Sequence, residues 1–150
     1  MTRSSRRAGS GPLIALVVWS AYVWSTRIRN AAGDATLSSG GKAFSIGLSA
    51  TFLAFAVVGL VIVVRAWSRA LTRPEVLALR AFAGWTVAVW VVRIPMILAD
   101  DHVVGFKVVH AVLGLISIGL AAWVWRSSPM PATTAPDGVD QESLGAGSPG

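Results

Sequence analysis

The sequence predicts an all-α fold, a polytopic four-helix bundle embedded in a membrane, and three observations predict it. Hydrophobic residues make up 54% of the chain and charged ones 13%, where a soluble domain carries about 25% charge. The mean hydropathy is +0.64. The apolar residues gather in four runs, 13–26, 44–64, 76–99 and 103–125. A length of 150 residues allows one domain. This composition excludes a disordered chain, a nucleic-acid-binding domain and a disulfide-stapled secreted module.

Crossing a hydrocarbon layer of ~30 Å takes roughly 20 helical residues. Segments 44–64, 76–99 and 103–125 reach that length. Segment 13–26 is short and spans only with help from 10–12 or from the stems of Arg27 and Arg29, whose long side chains snorkel. Its shortness also admits a cleaved signal: Arg3, Arg6 and Arg7 form a basic start, and Asn30-Ala31-Ala32-Gly33 offers small residues beyond. Ser5-Arg6-Arg7 resembles the opening of a twin-arginine signal, without the apolar residues that should follow it. Trp19, Tyr22 and Trp24 are bulky for a signal core, and Arg27 and Arg29 stand where a cleavage region is uncharged. An uncleaved first span is favoured.

The connections differ in kind. Residues 27–43, which include Ser38-Ser39-Gly40-Gly41, read as a mobile loop. Residues 65–75 are short and basic. Thr72-Arg73-Pro74-Glu75 reads as a capping box that opens the third helix. Only Asp100, Asp101 and His102 separate the last two runs, so those helices pair antiparallel, with Asp101 as the expected N-cap of the fourth. Residues 127–150 hold four Pro, four Gly and three acids and no aromatic. That makes them a disordered tail whose removal should leave insertion unchanged.

The formal charge is +6, but the cations lie mostly between the apolar runs, which fits topology signals and lipid headgroups. With the N-terminus inside, Arg3, Arg6, Arg7, Arg65, Arg69, Arg73 and Arg126 are cytoplasmic, against Arg27, Arg29 and Lys42 outside. That asymmetry predicts a multi-pass protein of the plasma membrane with both termini cytoplasmic. Tyr22 and Trp24 would then mark the outer interface and Trp67, Trp123 and Trp125 the inner one. Trp85 and Trp90 fall mid-span and are expected to fill the bundle. Helix packing is expected along Ser45-xxx-Ser49, Gly47-xxx-Thr51 and the series Gly105, Gly114 and Gly119.

The candidate polar pocket is Arg93, Asp100, Asp101, Lys107 and His110, with His102 beside it. Arg93 and Asp100 are two helical turns apart and share a face if the helix persists. Ionisable groups inside a span are costly and tend to face a bundle interior or a wet cavity. Two readings follow. In the simpler, Arg93 and Lys107 snorkel to the aspartates and headgroups; in the other, an arginine or lysine holds an anion and His110 relays a proton. The simpler one is favoured. Pro95 removes the hydrogen bond to the Val91 carbonyl, which can kink the third helix near this cluster; a packing role is favoured over a site-lining one, since proline is common in membrane helices. Arg65, Arg69 and Arg73, at i, i+4 and i+8, form a lipid-headgroup interface with Trp67 if the second helix continues past Val64.

No cysteine is present, so thiolate chemistry, Fe–S clusters and thiolate zinc are excluded. There is no phosphate loop, HExxH or GxSxG. No cofactor, no metal and no enzymatic activity are expected; membrane lipids, and either a second copy or another membrane protein, are the expected partners. In size the chain resembles the small multidrug transporters and the four-helix disulfide-generating membrane proteins, but the first span holds no carboxylate and there are no cysteines. The run Gly105-Phe106-Lys107-Val108-Val109-His110 resembles a stretch of uncharacterised four-helix integral membrane proteins of high-GC bacteria. That resemblance covers the last two helices and transfers no site. The resulting expectation is a non-enzymatic accessory or oligomeric membrane component. The alternative is a small transporter, or a protein binding an anionic ligand or lipid, with a charged pocket between the third and fourth helices.

Overall fold

Leucine, valine and alanine repeated without strand-like alternation build helices, and four account for most of the chain. The computed structural model describes residues 11–128; the basic start and the tail expected to be disordered lie outside the described residues. The helices are α1 (Gly11–Gly33), α2 (Ser39–Ala66), α3 (Arg73–Ala99) and α4 (Val104–Ser127). There is no strand among the described residues.

Three of these, α2, α3 and α4, are long and apolar enough to cross a membrane. Apolar side chains also cover their outer faces: Val57, Leu60, Val61, Val91, Val92, Val108 and Leu115 are all exposed. Contiguous exposed apolar surface of this kind is foreign to soluble monomers and ordinary for lipid-facing helices. The chain has the make-up of a multi-pass membrane protein.

α1 packs along α2 and α3 along α4, so the molecule is two antiparallel hairpins joined along two narrower seams, α1 with α4 and α2 with α3. One end of the bundle carries both hairpin connections, 34–38 and 100–103. The other carries the α2–α3 connection.

α1 runs seven residues beyond segment 13–26. Its inward stripe, Leu13, Leu16, Val17, Ser20, Trp24 and Ala31, keeps a helical period to the end. α2 starts early as well. Ser38 is its N-cap, accepting a hydrogen bond from the Gly41 amide at 3.1 Å, so the Gly/Ser run expected to be loop forms a first turn. At the opposite end Glu75 accepts from the Thr72 amide (2.9 Å) and the Thr72 hydroxyl (3.0 Å), the expected cap of α3.

Aromatic rings fill the middle. Trp24 of α1 stacks on Phe52 of α2 with centroids 3.9 Å apart and lies 6.3 Å from Trp90 of α3. Trp24 is therefore core, 2% exposed, and not an interface residue; its position on the inward stripe overrides its place near the end of an apolar run. Trp67, Trp123 and Trp125 are exposed as a belt requires; Tyr22 is exposed too, but it stands at the middle of α1, not at the interface where it was expected. Trp90 is buried, whereas Trp85 is partly exposed beside Phe52.

Two glycines set the helix spacing. A Cβ at Gly59 would stand 2.7 Å from Val17 of α1, and one at Gly114 2.6 Å from both Trp90 and Ile94 of α3. Small side chains let backbones approach closely where lipid supplies no hydrophobic drive. Ser45 and Ser49 are buried as expected. Gly47, Gly105 and Gly119 touch nothing and play no part in packing.

Candidate functional site

A cavity of about 570 Å³ opens at the end of the bundle that carries both hairpin connections. Its polar lining comes from all four helices: Arg27 of α1, Ser45 of α2, Arg93 of α3 and His110 of α4. Each of these lies six residues from the end of its own helix nearest the paired connections. At 1.5 Å per residue that is about 9 Å, so the four side chains form one layer at a common depth. Trp24, Trp90, Ile97 and Leu113 line the cavity's apolar part.

The hydrogen bonding in that layer is incomplete. Arg27 donates from Nη2 to Ser45 Oγ at 3.1 Å, but its Nε is buried without a partner. The indole Nε1 of Trp90 is likewise buried and unpaired. Arg93 forms no ion pair with any described acid, and the Arg27 charge acts on it across the cavity. Buried donors are normally satisfied, and leaving one unmade costs about 1–3 kcal/mol, more when it is charged. Two guanidinium groups thus line one space with no acid paired to either.

The α4 wall carries a short aromatic ladder. Phe106 stands between His102 and His110, with ring centroids 4.5 and 3.9 Å away. His110 Nδ1 lies 2.9 Å from the Phe106 carbonyl. A carbonyl only accepts, so Nδ1 carries a proton there and donates it. Asp34 sits at the mouth. Hydrogen bonds from the Thr36 hydroxyl (2.6 Å) and amide (2.8 Å) hold its carboxyl below the usual carboxylate range.

Of the polar cluster singled out in sequence, the structure brings Arg93, His102 and His110 to this cavity. Asp100, Asp101 and Lys107 do not line it. α3 stops at Ala99 and Asp100 turns away with φ −80° and ψ 160°, which removes the shared face that would have set it against Arg93. Asp100 contacts His102 instead, at 3.3 Å. Asp101 is not the N-cap of α4; Val103 is, without a side-chain bond. Lys107 Nζ donates to the Leu98 carbonyl at 2.9 Å, satisfying one orphan acceptor at the end of α3.

The basic stripe Arg65, Arg69 and Arg73 is not one helical row, because α2 ends at Ala66. Arg69 folds onto Glu75 with two contacts of 2.8 and 2.6 Å, and that pairing raises its pKa. Arg65 reaches the same carboxylate at 3.9 Å. Arg73 begins α3, and Trp67 beside them is exposed.

Arg27, Ser45 and Trp90 are site residues that reading by hydropathy missed. Arg27 falls three residues after Trp24 and four before Ala31, on the inward stripe of α1. That period was the available signal, hidden because an arginine after an apolar run reads as the start of a loop. No protein-family profile matches the chain, and no curated protein or solved structure matches it either.

Proposed function

We propose that this protein is a non-enzymatic, four-span protein of the plasma membrane that binds an anionic group in the cavity between its helices. One observation carries the reading: Arg27 and Arg93 line one cavity, and neither forms an ion pair with a described acid. An oxyanion would complete their hydrogen bonds and neutralise the charge, and arginine forks suit carboxylate and phosphate geometry. The pocket of the alternative expectation is thereby shifted, from the α3–α4 hairpin alone to the space between the two hairpins.

The four-span topology rests on length and charge. α1 has 23 residues, about 34 Å of helix, enough for a ~30 Å layer. Its Arg27 and Arg29 fall near one end, and the lysine and arginine asymmetry sets both termini inside. The cavity then faces the outer leaflet, and membrane lipids are the natural partners.

Native mass spectrometry of protein purified in a neutral detergent tests the binding. The wild-type chain should retain an anionic adduct that the Arg27→Gln/Arg93→Gln double variant loses. A wild-type chain free of anions, or one whose adduct persists in the double variant, would overturn the proposal.

A further inference from the structure

The cavity's lining reaches the surface of the bundle on both α1 and α4. Two of its wall residues, Tyr22 on α1 and Val109 on α4, are 67% and 55% exposed. Both lie well below the mouth: Tyr22 is eleven residues before the end of α1, about 16 Å along its axis, and Val109 five after the start of α4, about 8 Å. At those depths in a spanning bundle the surroundings are acyl chains, not water. Lower down, the α1–α4 seam is closed by a hydrogen bond from Trp19 Nε1 to Ser117 Oγ of 2.9 Å. The seam is therefore a slot, latched at the bottom, with arginines at the back of its upper half and hydrocarbon-facing side chains at its edge.

Resting on the anion-binding reading, we infer that the ligand is an anionic amphiphile of the outer leaflet, which enters sideways between α1 and α4 and carries its oxyanion to Arg27 and Arg93. The geometry matches both halves of such a molecule. Its head meets the Arg27 and Arg93 guanidinium groups; its chain leaves along Tyr22, Val109 and Leu113 into the bilayer. The formal charges of the arginines and the acid lining the cavity, Arg27 and Arg93 against Asp34, sum to one positive charge, so a monoanion such as a phosphodiester headgroup balances them. A small hydrated anion would gain the head contacts alone. It would leave the apolar wall of Val109 and Leu113 uncovered.

Three probes separate the possibilities, with tryptophan fluorescence of the purified wild-type chain in neutral detergent as the readout, since Trp24 and Trp90 line the cavity. They are dioctanoylphosphatidylglycerol, glycerophosphoglycerol (the same head without chains) and dioctanoylphosphatidylcholine (the same chains with a zwitterionic head). Saturable binding of the first, at least tenfold tighter than either of the others, is the expected result. It should weaken at least tenfold in Arg93→Gln and in Arg27→Gln, both checked for native helix content by circular dichroism. Equal binding of glycerophosphoglycerol would overturn the amphiphile and leave the anion site standing. Equal binding of the phosphatidylcholine would remove the role of the arginines, and no binding of any probe would remove both readings. As a second check, Val109→Trp should obstruct the side opening and weaken the chain-bearing probe; unchanged affinity there would overturn lateral entry.

Discussion

Arg93 is held half-buried at the end of a run of valines, with no acid beside it and a second arginine across the cavity. A charge so placed costs more than it returns within the protein itself, because its desolvation is uncompensated. Replacing it by methionine, similar in length and uncharged, should therefore stabilise the ligand-stripped protein by about 1–3 kcal/mol, the scale of an unmade buried hydrogen bond. Thermal unfolding in detergent measures it, and a loss of stability would mean that Arg93 has a protein partner. Gly114 offers the converse case. Gly114→Val would drive a side chain into the Trp90 ring and Ile94, and overpacking of this kind costs about 1–3 kcal/mol. Since Trp90 also lines the cavity, the same substitution should weaken dioctanoylphosphatidylglycerol binding in the fluorescence titration, with circular dichroism verifying that the helices remain.

At the scale of elements, the α2–α3 connection is the best-determined junction in the molecule. Glu75 is buried and receives the Thr72 cap together with the Arg69 fork. Removing it as Glu75→Ala should cost about 1–2 kcal/mol, mostly from the cap, since Arg69 is largely exposed and its ion pair is screened. Glu75→Gln should recover part of that loss by keeping an acceptor for the Thr72 amide. Thermal unfolding of the two variants compares them, and equal losses would show that charge, not capping, matters there. This junction was legible in sequence because a capping box is a local pattern of four residues. The hairpin at Asp100 was not. Whether a helix persists for one more residue decides which way an aspartate points, and the groups at that helix end, such as Lys107 on the Leu98 carbonyl, come from the next helix. The first helix shows the same limit: hydropathy ends it at Thr26, while packing of Trp24 and Ala31 against the bundle carries it to Gly33.

For the whole molecule, the absence of cysteine makes the proposed topology easy to read. A single cysteine introduced as Leu37→Cys should react with an impermeant maleimide in intact cells, and Ala70→Cys should react only after the membrane is opened. The reverse pattern would invert the protein, and the cavity with it. Four apolar runs were enough to see the number of helices. They could not show that one polar side chain from each, Arg27, Ser45, Arg93 and His110, falls at a common level, because that registry appears only once all four helix ends are known.

The two-hairpin construction has a mechanical consequence. Each hairpin is drawn together by a glycine contact, Gly59 in one and Gly114 in the other, while the seam beside the cavity is crossed by the Trp19–Ser117 hydrogen bond. A load applied across the membrane plane is borne first by the weaker joint. Stretching or thinning the bilayer would part the two hairpins before it deformed either, coupling the width of the site between them to the tension of the surrounding lipid.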